Sequence, residues 1–136
     1  MNRPVNRRTG EGEVAEMLAL TSTQGDDVRE ALRAAERSTG LRFAAYLGPA
    51  IGPRRHFSER LHAGLGADAD RGVLVFVDQR GRGLEIVTGP LARRRLPDAE
   101  CRVAATSMAA VLGLGDLVGG LVTGVLTLAD QASRRR

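Results

Sequence analysis

A chain of 136 residues has room for one domain with a modest core, and its 43% hydrophobic and 26% charged content is that of a globular protein. Phe43, Tyr46, Phe57 and Phe76 are its only aromatic residues, so aliphatic side chains must fill the core and stacking platforms for bases or sugars are scarce. The pI of 10.8 suggests nucleic acid, but all twenty basic residues are Arg, and between Asp26 and Asp130 fourteen of them face thirteen acids. The excess positive charge lies in Arg3, Arg7, Arg8 and Arg134 to Arg136; a near-neutral body with few aromatics disfavours nucleic acid as a partner.

The single cysteine, Cys101, excludes an internal disulfide and a thiolate metal cluster. Arg3, Arg7 and Arg8 are not followed by the apolar run of a signal peptide. The longest apolar stretch, Val103 to Ala129, is broken by Asp116 with Gly113 and Gly115 beside it. Each arm is about 13 residues, short of the roughly 20 that span a bilayer. Two packed helices are expected there, with no transmembrane segment and a cytoplasmic location.

In chain order, residues 1–12 are polar and expected to be disordered, and Glu13 to Thr21 read as a short amphipathic lead-in. Thr23 is a candidate N-cap for a helix from Gln24, with Asp26 and Asp27 in its first turn, Val28, Leu32 and Ala35 at helical spacing, and Gly40 as its end. Leu41 to Leu47 read as a strand, and Gly48, Pro49, Gly52 and Pro53 break the chain. His56 to Leu65 form a second helix ended by Gly66. Val73 to Val77 is an unbroken run of β-formers, the pattern of a central strand buried on both faces. Gln79 to Arg82 make a turn into a hairpin strand, Gly83 to Thr88. The crossover from the first strand to the second predicts a parallel pair, so the sheet is mixed. Pro97 and Asp98 open a third helix to Leu112, and Asp116 to Ala132 make a fourth.

The order and spacing of these segments resemble the TPM domain family, and within it an uncharacterised actinobacterial branch. The matching residues run from Gly25 through Gly48, then Leu61 to Gly66, Asp70 to Leu74, Arg82 to Gly89, Leu96 to Asp98, and Gly115-Asp116 with Gly120, Gly124 and Val125. The resemblance covers roughly residues 21–132 and implies an α-β-α sandwich around a small mixed sheet. It further implies a divalent metal held by acids at one sheet end and an acid-phosphatase-like activity, both proposed for some members; other members are membrane-anchored parts of assemblies. Glu13 and Glu16 stand where the family carries Asp.

Asp68, Asp70 and Asp98 are the candidate ligands of a hard cation, Ca²⁺ or Mg²⁺, because hard cations take carboxylate oxygens. Asp78 ends the central strand, where open α/β sheets place ligands. Arg71, Arg93, Arg94 and Arg95 are candidates for holding an anion; as a solvated loop in an Arg-biased chain they need no such role. His56 and His62 are six apart and cannot share a metal from one helix face. Cys101 lies in a helix's first turn, where a dipole favours thiolate, but a buried structural thiol serves equally. Gly115, Gly119, Gly120 and Gly124 allow close helix packing, either on the sheet or in a homodimer.

The sequence thus predicts a small α/β protein, a three-layer α-β-α sandwich on a three- or four-stranded mixed sheet, laid out as a tail and lead-in (1–20), the domain (21–132) and a basic end (133–136). No reactive constellation is complete. A non-enzymatic interaction or accessory module is the leading function, and a divalent-metal-dependent phosphatase-like hydrolase the alternative.

Overall fold

The computed structural model describes residues 22–135; the expected tail, the lead-in over Glu13 to Thr21 and Arg136 lie outside the described residues. In chain order the elements are α1 (Ser22–Thr39), β1 (Arg42–Leu47), α2 (Arg54–Ala63), a 3₁₀ turn (Gly66–Arg71), β2 (Gly72–Asp78), β3 (Gly83–Thr88), α3 (Pro90–Arg95), α4 (Asp98–Leu112) and α5 (Leu117–Arg134). The three strands lie in the order β1-β2-β3. β1 runs parallel to β2, with Phe43 opposite Val73, and β2 antiparallel to β3, with Val75 opposite Ile86.

Strand alternation divides the core in two. Phe43, Ala45, Leu47, Val73, Val75 and Val77 face a layer that contributes Val28 and Leu32 from α1, Met108 from α4 and Leu121, Val125 and Leu128 from α5. On the opposite face Ala44, Leu74, Phe76 and Val87 pack with Phe57 and Leu61 of α2. Phe57, Phe76 and Tyr46 meet there at centroid separations of 5.3 to 5.8 Å. The expected α-β-α sandwich is therefore present with three strands, and β2 is buried along its whole length.

Two short elements replace expected loops. The second helix ends at Ala63, and the 3₁₀ turn carries the chain from Gly66, at φ +65°, into β2. Pro90 sits in the first turn of α3, where its missing N–H costs nothing, and Ala92 and Leu96 are buried beneath it. At the other end of the chain, α5 runs past the expected limit at Ala132 to Arg134. Its N-cap is Asp116, which accepts the Gly119 N–H at 2.8 Å.

α5 lies between α1 and α4. On the α4 side, a methyl added at Gly120 would meet the Leu112 side chain and one at Gly124 that of Met108. The small residues of the last helix thus permit close packing within the chain.

Candidate functional site

The sequence candidates fall at three places. Around the entry to β2, Asp68 forms ion pairs with Arg71 (3.0 Å) and Arg42 (3.5 Å), while Asp70 is exposed. Asp70 lies close to Gly89, whose amide donates to Gly72 O at 3.0 Å and whose Cα faces the carbonyls of Ala69 and Asp70. Asp98 is elsewhere, lining a cleft between β3 and α4. The expected metal trio is not assembled: among the described residues no group of three or more His, Cys, Asp or Glu side chains is placed to hold a metal ion. The physical reason is that two guanidinium groups already neutralise Asp68, and the first turn of α4 points Asp98 into a different cleft.

The arginines bind main-chain carbonyls. Arg71 donates to Gly40 O at 2.9 Å and Arg93 to Thr88 O at 2.6 Å. Arg95 donates to Thr39 O at 2.7 Å and, through two nitrogens, to Ala132 O at 3.2 and 3.3 Å. The Thr39 and Ala132 carbonyls belong to the last turns of α1 and α5, where cations are favoured by the helix dipole. Arg94 is the one of the four with no side-chain partner among the described residues. Arg93 to Arg95 also sit on a helix, α3, where a loop was expected.

Asp78, at the C-terminal end of β2, is 6% exposed. One oxygen accepts the Gly81 N–H at 2.8 Å and the other the Arg54 Nε–H at 3.3 Å, while Arg54 also donates to Gly81 O. A methyl on Gly81 would stand 2.5 Å from the Asp78 carboxylate. The acid thus shapes the hairpin turn, in which Arg82 takes φ +58°. His62 is similarly occupied: its Nε2 lies 3.1 Å from Gly72 O, and because a carbonyl only accepts, Nε2 carries the hydrogen.

Two concave surfaces stand out among the described residues. The first, about 350 Å³, lies between the edge strand β3 and α4 and is lined by Arg55, Glu85, Thr88, Arg93, Asp98 and Cys101 among others. Arg55 binds Glu85 (3.1 Å) and Glu59 (3.0 Å) and donates to Ile86 O. Partial burial works against its charge, but the two carboxylates outweigh that and push its pKa up. Burial, and then the neighbouring Asp98 charge, push the Cys101 thiol up, away from thiolate chemistry. Within this cleft Arg55 and Glu85 pair with each other, and Arg93 is held by the Thr88 carbonyl.

The second is a groove of about 560 Å³ between α1 and α5. These helices run side by side in the same direction: Asp27 and Asp116 both line the groove near the start of the two helices, and Ser133 Oγ reaches Ser38 O at the other end. Ala31 and Ala34 on one side and Val118, Val122 and Leu126 on the other make an apolar floor, with Asp27, Glu30 and Asp116 at the rim. Leu126 is 45% exposed. The valine–valine–leucine spacing of four was the sequence signal for this surface, but it runs beside the glycine stripe and is hidden by it.

The fold defines a small three-layer α/β domain on a three-stranded mixed sheet. The chain belongs to the family described as Domain of unknown function (DUF5130), which it matches over residues 4–129. No curated protein matches it. Among solved structures it is similar to the N-terminal domain of a protein from P. gingivalis, with 24% identity over 85% of this chain and 78% of that one and a TM-score of 0.74. It is also similar to the BA42 protein from the psychrophilic bacterium Bizionia argentinensis, with 17% identity over 86% and 83% of the two chains and a TM-score of 0.78. The N-terminal domain of cg2496 from Corynebacterium glutamicum is similar at 14% identity, 84% and 74% coverage and a TM-score of 0.67. These likenesses establish the fold. No helix among the described residues is long and apolar enough to cross a membrane.

Proposed function

We propose that the protein is a TPM-like interaction or accessory module whose contact surface is the groove between α1 and α5. The observation that carries this reading is the open apolar floor of that groove. Val122 and Leu126 stand in solvent-accessible positions next to Ala31 and Ala34, a surface that gains free energy only when something covers it. In the β3–α4 cleft, by contrast, Arg55 and Glu85 are engaged with each other and the thiol is held protonated. The segment order from Gly25 to Val125 supports the TPM-like assignment, as does the α-β-α layering.

The test is site-specific photo-crosslinking in the native host. A crosslinker at Leu126 should give a discrete adduct, and one at exposed Arg60, on the opposite layer, should give none. Equal labelling at the two positions, or none at Leu126, would remove the groove as the contact surface.

A further inference from the structure

We infer that the occupant of the α1–α5 groove is a cationic amphipathic helix from a partner protein. The inference rests on the reading of that groove as a docking surface and adds the chemistry of what docks there. Shape comes first. The floor follows α5 from Val118 to Leu126, about 12 Å at the helical rise, or a little over two turns. Its apolar positions on α5 recur every four residues, and the apolar positions that α1 sets across from them are the small side chains of Ala31 and Ala34. A floor that is raised on one side and low on the other admits the backbone of a third helix close to α1. The ridge of that helix, spaced at i, i+3 or i+4, and i+7, would fill the trough against Val122 and Leu126.

Charge selects the partner. Among the described residues three carboxylates, Asp27, Glu30 and Asp116, line the groove, and no basic residue does. Glu30 is shared with Arg33 and Arg37 at 3.4 and 3.3 Å, which reduces its own field. Asp116 is anchored by the Gly119 amide, and Asp27 is exposed with no side-chain partner among the described residues. An arginine or lysine flanking the ridge of the incoming helix meets these acids at the rim, where complementary charge sets orientation and on-rate.

The same acids disfavour other occupants. A second copy docked groove to groove in the parallel sense would bring Asp27 and Asp116 against their own kind, and in the antiparallel sense its lining among the described residues would offer them no cation. An anionic lipid surface would be repelled. The apolar residues Val14, Met17 and Leu18 of the preceding segment are interleaved with Glu13 and Glu16, again the wrong sign.

The experiment titrates full-length, ¹⁵N-labelled protein with two synthetic helical peptides of about four turns. Both carry the same leucine ridge; one has lysine on its remaining positions and the other glutamate. The lysine peptide should shift amides in the 27–34 and 116–126 stretches and the glutamate peptide should not. Asp27→Lys and Leu126→Arg should each weaken the lysine peptide about tenfold, the equivalent of about 1.4 kcal/mol, without altering the rest of the spectrum. If both peptides shift the groove alike, the charge inference is overturned while the docking surface stands. If neither shifts it, the docking surface itself fails. Concentration-dependent shifts of the same amides in protein alone would assign the groove to a second copy. A spin label at Met17→Cys, in a Cys101→Ser background, that broadens the groove amides without peptide would assign it to the preceding segment. Either result would overturn the partner helix.

Discussion

Arg95 and Thr39, distant in sequence, are joined by a 2.7 Å hydrogen bond from guanidinium to carbonyl, and the same guanidinium holds Ala132 O. One side chain thereby fastens the last turns of α1 and α5 to α3 and fixes the angle at which the groove helices lie together. Arg95→Ala should destabilise the fold by about 1.5–3 kcal/mol, the range for hydrogen bonds to charged groups. Arg95→Lys should recover little of that, because an ammonium cannot reproduce the planar fork. Urea unfolding of the three proteins checks this; a lysine variant as stable as wild type would contradict it.

Gly124 and Met108 form a second pair whose coupling has a definite sign. A methyl at Gly124 would stand 2.7 Å from Met108 Cγ in a fully buried site, so Gly124→Ala should cost about 1–3 kcal/mol through overpacking. In a Met108→Ala background the obstruction is gone, and the same substitution should stabilise through helix propensity, by up to about 1 kcal/mol. A double-mutant cycle on thermal or urea unfolding reads the reversal directly. Additive effects would show that the two residues do not limit each other.

Cys101 gives a pH dependence. Burial and the Asp98 charge raise its pKa in the folded chain, so on alkalinisation the unfolded chain gives up the thiol proton first. Below the ordinary thiol value, about 8.5, the group contributes no slope. From there up to the raised folded value the native state binds more protons, and stability falls as pH rises. Urea unfolding between about pH 7 and about pH 10 should show wild type losing ground to Cys101→Ala over the alkaline half of that range. Parallel curves would mean that the thiol titrates alike in both states.

Gln131 is buried in α5, and its Oε1 has no hydrogen-bond partner among the described residues. An unsatisfied buried acceptor carries a desolvation penalty of about 1–3 kcal/mol, so Gln131→Leu, similar in size and apolar, should raise the melting temperature. A lowered melting temperature would show that the amide makes a contact the fold depends on.

Much of the fold was legible because its signals are local. The Val73 to Val77 run could only be a strand covered on both faces, and Gly40, at φ +76°, ends α1 where a left-handed residue was needed. The 3₁₀ turn and α3 were not legible. Gly-Ala-Asp-Ala-Asp-Arg has no periodicity, and the three consecutive arginines of α3 mask the Pro90, Ala92 and Leu96 pattern that marks a short helix. The arginine contacts were out of reach for a different reason. A bond from Arg95 to Thr39 O spans 56 positions and engages main chain, so the residue at the receiving end leaves no trace in the sequence. The acids failed as a metal set for the converse reason: identity and spacing do not show which arginine reaches Asp68 first.

The placement of α5 between α1 and α4 also bears on how the chain is made. A ribosome delivers α1, the whole sheet and α4 before it delivers the helix that separates them. Until residues 117–134 have left the exit tunnel, Val75, Met108 and the inner side of α1 have no complete cover, and the nascent domain must wait with that face open. Vectorial synthesis therefore makes α5 the closing piece of its layer, and without it α1 and α4 would flank an open strip of the sheet.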